Sequence, residues 1–491
     1  MGSTSKKVIA HDDILEALIG EMDRVNFKSL AFRNYKTLLD KYNKVDTDSD
    51  EAREIRKKLD ALKVSTRHFV VLTVEQILKY AKKNDWNLCK NHDFIYVYNG
   101  EYWNQIEKER LQKFLGDAAT KMGVDKFSSE YYQFKEHLFK QFMSMAYLPI
   151  PKIDSETVFV NLKNGTFEIN LQGENLRRFN HSDFLTYQLP FEYNPESKSP
   201  IFDKYLNRVM PDENCQKVLA EYLGFVFIRH ESKRLKQEKA LILYGSGANG
   251  KSVFFEIVKA LIGKENMSNY SLSSLTNESG YQRAKIGNVL VNYGSEINSK
   301  LESSLFKQLV SGEPVEARLP YGEPFTLTQY AKLIFNCNEL PRDVEHTTAY
   351  FRRFLIVPFD VTIPPEERDS QLHIKIIENE LSGIFNWVLE GLHRLLSQKQ
   401  FTECEAVNKA LNDYKKQSDS VMQFLSENRY EPHPNEYIKI MDLYDEYKLF
   451  CCDDGYRSVN KMNFKKRITN ANVLVNRINI GYVAYIKRKE Q

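Results

Sequence analysis

The stretch "YGSGANGKSVFFEI", Tyr244 to Ile257, sets Gly245, Ser246, Gly247, Ala248, Asn249, Gly250, Lys251 and Ser252 in the spacing GxxxxGK[ST]. Glycines so placed let successive backbone N–H groups turn inward around phosphate oxygens, and the helix that follows aims its positive end at them. Lys251 has the reach to meet the β- and γ-phosphates, and the Ser252 hydroxyl can hold Mg²⁺. The flanks suit such a loop: "ALILY" reads as a buried strand before it and "SVFFEIVKALI" as an amphipathic helix after it, closed by Gly263. The segment predicts a nucleoside triphosphate site.

Hydrolysis needs further groups around the phosphates, and four downstream segments offer them. "NVLVNYGSE" ends a hydrophobic run at Glu296, a carboxylate that could polarise the attacking water or hold the metal's water shell. "YAKLIF" reads as another strand and delivers Asn336 and Asn338 to the same edge, where an amide can bond the γ-phosphate or the water. "YFRRFLIVPF" sets Arg352 and Arg353 just before one more buried strand, and arginines so placed can pair a neighbour's phosphate. Between them the chain reads strand–turn–strand around Pro320 to Pro324. Singly, each has an ordinary reading as a surface acid, a turn residue or a surface pair. Their order behind the glycine loop gives them weight.

The elements that must position these groups span a long chain. At 491 residues it is too large for one core, and its 42% hydrophobic and 12% aromatic content is that of a folded protein. Apolar runs such as "YLGFVFI" are too short to span a bilayer and the N-terminus is polar, so no membrane association is expected. Cys89, Cys215, Cys337, Cys404, Cys451 and Cys452 show no CxxC spacing, which favours reduced thiols in a cytoplasmic protein over disulfides or a zinc site. Residues 1–65 read as charged helices, a candidate partner-binding or oligomer arm. Residues 66–198 read as a small α/β domain with two-residue hairpin turns at Asn99-Gly100 and Asn164-Gly165. Two helices and the nucleotide core occupy 199–365, a helical segment 366–420, and helices followed by a β-hairpin 421–491.

The net charge of +3 conceals an asymmetry. From Gly455 to Gln491 there are nine Lys or Arg and one Glu, a net +8 against −5 for the rest. A basic end on a mildly acidic body is expected where one end meets a polyanion, although a solvated basic face has the same composition.

Read in order, "GSGANGKS", "SE" after a strand, "LVSGEPVEAR", "FNCNELP" and "FRRFLIVPF" resemble the superfamily 3 helicase module. The likeness is to the branch of poxvirus and phage or plasmid primase-helicases, which includes initiators of staphylococcal pathogenicity islands. It extends upstream through "YNGEYW", "NLKNGTFEI" and "SPIFDKYL", covering roughly residues 90–490. The resemblance implies an α/β fold of the AAA+ type with a parallel sheet, a hexameric ring with ATP and Mg²⁺ at subunit interfaces, and 3′ to 5′ translocation on single-stranded DNA. By motif it makes Lys251 and Ser252 the Walker A pair, Glu296 the Walker B acid and Asn338 the sensor. Arg353, with Arg352 second, would act on the adjacent subunit. It also implies a DNA-gripping hairpin, for which Lys307, Arg318 and Tyr321 are candidates. Many relatives have two adjacent acids where this chain has Ser295-Glu296, which leaves the role of Glu296 between metal shell and base.

The basic end resembles a winged-helix unit, with a helix near Val459 to Asn470 and a two-stranded wing. Lys461, Lys465, Lys466 and Arg467 would lie on the helix, and Arg477, Lys487 and Arg488 on the wing, against origin duplex. Relatives often carry an N-terminal primase. Here only the charged helices precede the resembling region and there is no zinc-binding Cys/His cluster, so primase activity is not expected of this chain, and a separate primase or a host replication protein is a candidate partner. The expectation is an ATP-driven replicative helicase and origin-binding initiator of a mobile element in a bacterial host's cytoplasm. The alternative is a P-loop ATPase acting as a switch or in DNA packaging or partition, without unwinding.

Overall fold

The structure, a computed structural model, describes residues 9–91, 94–146, 156–170, 172–295, 297, 302–320, 322–341 and 344–489. The chain divides into two compact units, one of Met1–Asp154, Gly165–Phe167 and Leu176–Gln188, the other of Ser155–Asn164, Glu168–Asn175 and Leu189–Gln491.

In the first unit, helices Thr66–Lys83, Lys108–Met122 and Tyr132–Met145 surround one apolar core with Val74, Ile77, Leu115, Leu138 and Phe142 at its centre. Ile14, Leu15 and Leu18, on the helix Ile14–Gly20, belong to that same core. The N-terminal helices therefore have a stake in this unit's interior, a long-range packing that helical spacing alone cannot reveal. An antiparallel sheet of Asn87–Asn91, Phe94–Tyr98 and Trp103–Ile106 completes it. Its second turn is longer than the two residues expected at Asn99-Gly100. Tyr98 pairs with Trp103, and the Asn99 side chain accepts from the N–H groups of Glu101 and Tyr102, a local bond that makes a four-residue loop.

The second unit is built on five parallel strands: β1 (Ala240–Tyr244), β2 (Met267–Ser268), β3 (Val291–Gly294), β4 (Lys332–Cys337) and β5 (Phe354–Pro358). Their order across the sheet is β5-β1-β4-β3-β2, so β1 lies inside, flanked by β4 and β5. Ala240 to Leu243 of β1 are buried and Tyr244 is half-buried, as suits a strand covered on both faces. The helix Lys251–Ile262 follows β1 directly. The long helix Leu372–Gln398 packs along Glu213–Phe225, and Gly391 is the reason it can approach so closely: a Cβ there would stand 2.4 Å from the Ala220 carbonyl carbon.

Between β3 and β4, Val315–Arg318 pairs antiparallel with Pro324–Leu327, leaving residues 319–323 as the tip. Beyond the long helix, Glu405–Gln417 leads to a terminal module. There, helices Ser420–Glu427, Ile440–Asp453 and Lys461–Asn470 enclose Phe424, Tyr447, Phe464 and Ile468. Ile438–Lys439, Gly481–Ala484 and Val475–Ile478 form its three-stranded sheet, in that order. Ile486–Arg488 pairs elsewhere, with Tyr430–Pro432. Lys487 and Arg488 are therefore off the hairpin that sequence assigned them to, because the final strand finds its partner more than fifty positions upstream.

Among the described residues, no helix is long and apolar enough to cross a membrane.

Candidate nucleotide site

The glycine loop leaves the carboxyl end of β1 and is tied to its neighbours on both sides. Gly245 N–H donates to the Cys337 carbonyl at the end of β4 (3.1 Å), and Phe359 N–H, just beyond β5, donates to Tyr244 (2.7 Å). The buried Asn249 amide donates to the Phe359 carbonyl (2.9 Å). Gly247 and Gly250 have φ of +109° and +86°, and Ala248 occupies the left-handed region as well at +52°. Such a conformation costs a non-glycine residue on the order of 1 kcal/mol, and the bond from Ile363 N–H to the Ala248 carbonyl (2.8 Å) helps hold it. Gly250 admits no side chain, since a Cβ would lie 2.6 Å from Val209 Cγ1.

Lys251 is 6% exposed and folds back into the loop, with its ammonium on the Gly245 carbonyl and 3.3 Å from Asn249 Oδ1. Burial lowers its pKa from the usual lysine range. Those carbonyl and amide oxygens occupy the ammonium where phosphate oxygens would. Ser252 and Ser246 face solvent. The residue types fit a triphosphate with its magnesium: glycines at positive φ, a lysine whose ammonium lies back against the loop and a hydroxyl at the start of the helix.

Asn338 follows β4 immediately and is exposed, one position beyond the residue whose carbonyl holds Gly245. Asn336 has a different task, accepting from the Tyr293 hydroxyl on β3 (3.0 Å). Glu296 lies outside the described residues, two positions beyond the end of β3 at Gly294.

The two arginines separate sharply. Arg353 is 7% exposed and donates to Ser311 Oγ (2.8 Å), to the Lys307 carbonyl (3.3 Å) and to the Ala349 carbonyl, and lies 3.4 Å from Glu238. Its guanidinium is committed within its own chain. The Arg352 side chain is 58% exposed and held at one end by Glu238 (2.8 Å). Both precede β5, whose first residue, Phe354, pairs with Ala240 at the amino end of β1. The five-residue β1, about 17 Å of strand, thus separates them from the glycine loop of the same chain.

The expected DNA-facing residues also divide. Arg318 is exposed at the hairpin's end, and its Nε donates to the Gly322 carbonyl (3.0 Å) across the tip. Tyr321 lies outside the described residues. Lys307 is instead paired with Glu345 (2.9 Å), which also accepts from Ser303 and Thr347. Burial works to raise the Glu345 pKa, but these bonds and the Lys307 charge prevail and hold it down to about 2.

On the terminal module Lys461, Lys466 and Arg477 are exposed. Lys465 sits over the Tyr482 ring, 3.2 Å from its centroid, and Arg477 is 6.0 Å from the same ring. Arg467 is bound to Asp419 (3.2 Å) and Arg488 to Glu446 (3.1 Å).

One supporting residue had no local signal. Tyr205, on the helix Pro200–Val209, donates its hydroxyl to the Gly250 carbonyl (2.9 Å), 45 positions away in sequence. Only the tertiary fold brings it to the loop.

Two family profiles match the chain. One, described as "D5 N terminal like", covers residues 75–211. The other, described as a "Family of unknown function (DUF5906)", covers residues 243–353, from the glycine loop through Arg353. Among curated proteins, "Putative helicase L207/L206" of Acanthamoeba polyphaga mimivirus is 23% identical over 53% of this chain and 28% of its own length. "Putative helicase 121R" of Invertebrate iridescent virus 3 is 22% identical over 60% of this chain and 35% of its own. The chain thus spans about a third of the length of these relatives. Among solved structures, the apo C-terminal region of NrS-1 (residues 305–718) aligns with 83% of this chain and 98% of its own, at 13% identity and a TM-score of 0.48.

Proposed function

We propose that this protein is an ATP-dependent DNA helicase whose subunits share catalysis, and that its terminal module binds duplex DNA. The observation supporting this is the position of Arg352: exposed and a strand's length from its own glycine loop, which suits it to a phosphate held by another copy. ATP and Mg²⁺ occupy Gly245 to Ser252, with Lys251 swinging from the Gly245 carbonyl onto the β- and γ-phosphates. Asn338 sits beside them as sensor, since β4 lies next to β1. Glu296 polarises water or holds the metal's shell. The sheet order, with β4 between β1 and β3, supports an AAA+ core, and a hexameric ring is the assembly that closes such head-to-tail contacts.

The hairpin between Val315 and Leu327 is the grip on single-stranded DNA, with Arg318 on the backbone. Burial of Arg353 and pairing of Lys307 turn both toward structural roles, which leaves Arg352 as the finger. In the terminal module, the succession helix, short strand, helix, helix, hairpin supports a winged-helix reading. Lys461, Lys465, Lys466 and Arg477 are its contacts to origin duplex. The likeness to viral proteins carrying helicase names supports a role in replication of a mobile element.

The test is strand displacement on forked DNA of each polarity, with sized oligomers, with and without ATP. Unwinding with 3′ to 5′ polarity by an oligomer is expected. ATP hydrolysis at full rate by a monomer, indifferent to DNA, would favour the switch or partition ATPase.

A further inference from the structure

Folding brings together two cysteines that sequence spacing kept apart. Cys215, in the first turn of Glu213–Phe225, and Cys404, at the N-cap of Glu405–Gln417, are 189 positions apart, yet their sulfurs lie 3.2 Å from each other. Both are buried, at 2% and 3% exposure. Asp212 completes the cluster: its Oδ2 is 3.7 Å from Cys404 Sγ, and the three donor atoms lie within 4.8 Å of one another. The Asp212 carboxylate is divided between two tasks. Its Oδ1 caps the helix, accepting from Asn214 N–H (2.8 Å) and Cys215 N–H (3.4 Å), while Oδ2 faces the thiols.

We propose that Asp212, Cys215 and Cys404 bind a thiophilic divalent ion of the zinc type, with water completing the coordination on the exposed Asp212 side. Distance favours this over a disulfide. Two thiolates on a tetrahedral zinc, each at about 2.3 Å, stand ~3.8 Å apart, so the sulfurs need part only slightly. A disulfide would require them to close to about 2.05 Å, more than an ångström of travel inside a packed interior.

Charge points the same way. A divalent ion with two thiolates and one carboxylate carries a net single negative charge. Both cysteines stand at helix N-termini, where the partial positive charge of free N–H groups favours such an anion. Two soft sulfurs select zinc over magnesium or calcium, so the site does not compete for the ion at the nucleotide. Without metal, burial raises the Cys215 thiol pKa, with Cys404, Asp212 and Asp360 adding to the shift. Binding the ion takes the proton from each thiol and releases two protons into solvent.

The ion would staple the start of one helix to the start of another. Glu405–Gln417 packs on β5, and Glu213–Phe225 follows the helix whose Tyr205 supports Gly250. Its role is structural.

The full chain, purified from zinc-supplied cells and dialysed, should retain one zinc per molecule by mass-spectrometric metal analysis. Replacement with Co²⁺ should give a near-ultraviolet thiolate-to-cobalt band. Both signals should vanish in Cys215→Ser and in Cys404→Ser. Asp212→Asn preserves the cap, because asparagine caps as well as aspartate, but loses the charged ligand. It should fold normally and bind zinc roughly ten-fold more weakly or worse. The proposal is overturned if the parent chain holds no zinc and gives no cobalt band. It also fails if the band persists in both serine variants, or if non-reduced peptide mapping finds Cys215 joined to Cys404.

Discussion

Arg353→Ala would remove the buried guanidinium that donates to Ser311 Oγ and to the Ala349 and Lys307 carbonyls and lies 3.4 Å from Glu238, leaving the Ser311 hydroxyl and the Lys307 carbonyl to each other. Removing one member of such a buried set costs ~3 kcal/mol, so a clear fall in thermal midpoint is expected. Arg352→Ala should leave that midpoint unchanged and ATP binding intact, yet lower ATP turnover by about 10³-fold or more. Calorimetry beside an ATPase assay separates the two, and the reverse pattern would return the finger role to Arg353. Mixing Arg352→Ala chains with Lys251→Ala chains should restore part of the activity, because some interfaces then combine an intact arginine with an intact loop. By resemblance Arg353 stood first and Arg352 second, and the contacts of Arg353 favour the reverse order. They share one local context, and what distinguishes them is Ser311, 42 positions away.

Lys307 teaches the same lesson through charge. Its partner Glu345 has a pKa depressed from 4.5 to about 2, so the carboxylate stabilises the fold fully above its unfolded pKa. That contribution should be lost as pH falls from about 4.5 toward 2. Glu345→Gln should lower the urea midpoint at neutral pH and flatten its decline over that window. A decline as steep as in the parent chain would assign the acid sensitivity elsewhere.

Elements carry the next set of expectations. The hairpin of Val315–Arg318 and Pro324–Leu327 is rooted by Arg283, a buried arginine whose Nε donates to the Glu316 carbonyl (2.8 Å). A rigid root would suit the gripping role proposed for it. Arg318→Ala should abolish unwinding while leaving DNA-independent ATP hydrolysis nearly intact; unchanged unwinding would reject the hairpin as the grip. In the terminal module, Tyr482→Ala should weaken duplex binding a few-fold, since its ring presents Lys465 and Arg477, a contact worth about 0.5–1 kcal/mol at an exposed site. Strand–loop–helix, hairpin and the basic helix Lys461–Asn470 were all legible in sequence, because each is fixed by residues within a dozen positions. The final strand was not. "NVLVNRINIGYVAYIKR" alternates throughout, and periodicity cannot say that pairing changes partner after Ala484, where Ile486–Arg488 turns to Tyr430–Pro432.

At the scale of the molecule, the glycine loop was legible in full and its surroundings only in part. Tyr205, Cys337 and Phe359 reach it from three distant segments, brought there by a sheet order that sequence does not print. The shared core of the N-terminal helix with Val74 and Leu115 was hidden for the same reason.

Asp419 shows what that tertiary wiring can do. It caps Ser420–Glu427, holds Arg467 of the helix Lys461–Asn470, and lies 3.7 Å from His346, in the loop that follows Asn338. His346 also reaches the Ser418 carbonyl (2.6 Å). A single carboxylate thus ties the segment before Thr348–Phe351 to the chain's basic end. Under the proposed function, any movement of His346 that accompanies nucleotide turnover would reach the helix bearing Lys461 and Lys466 through this one acid.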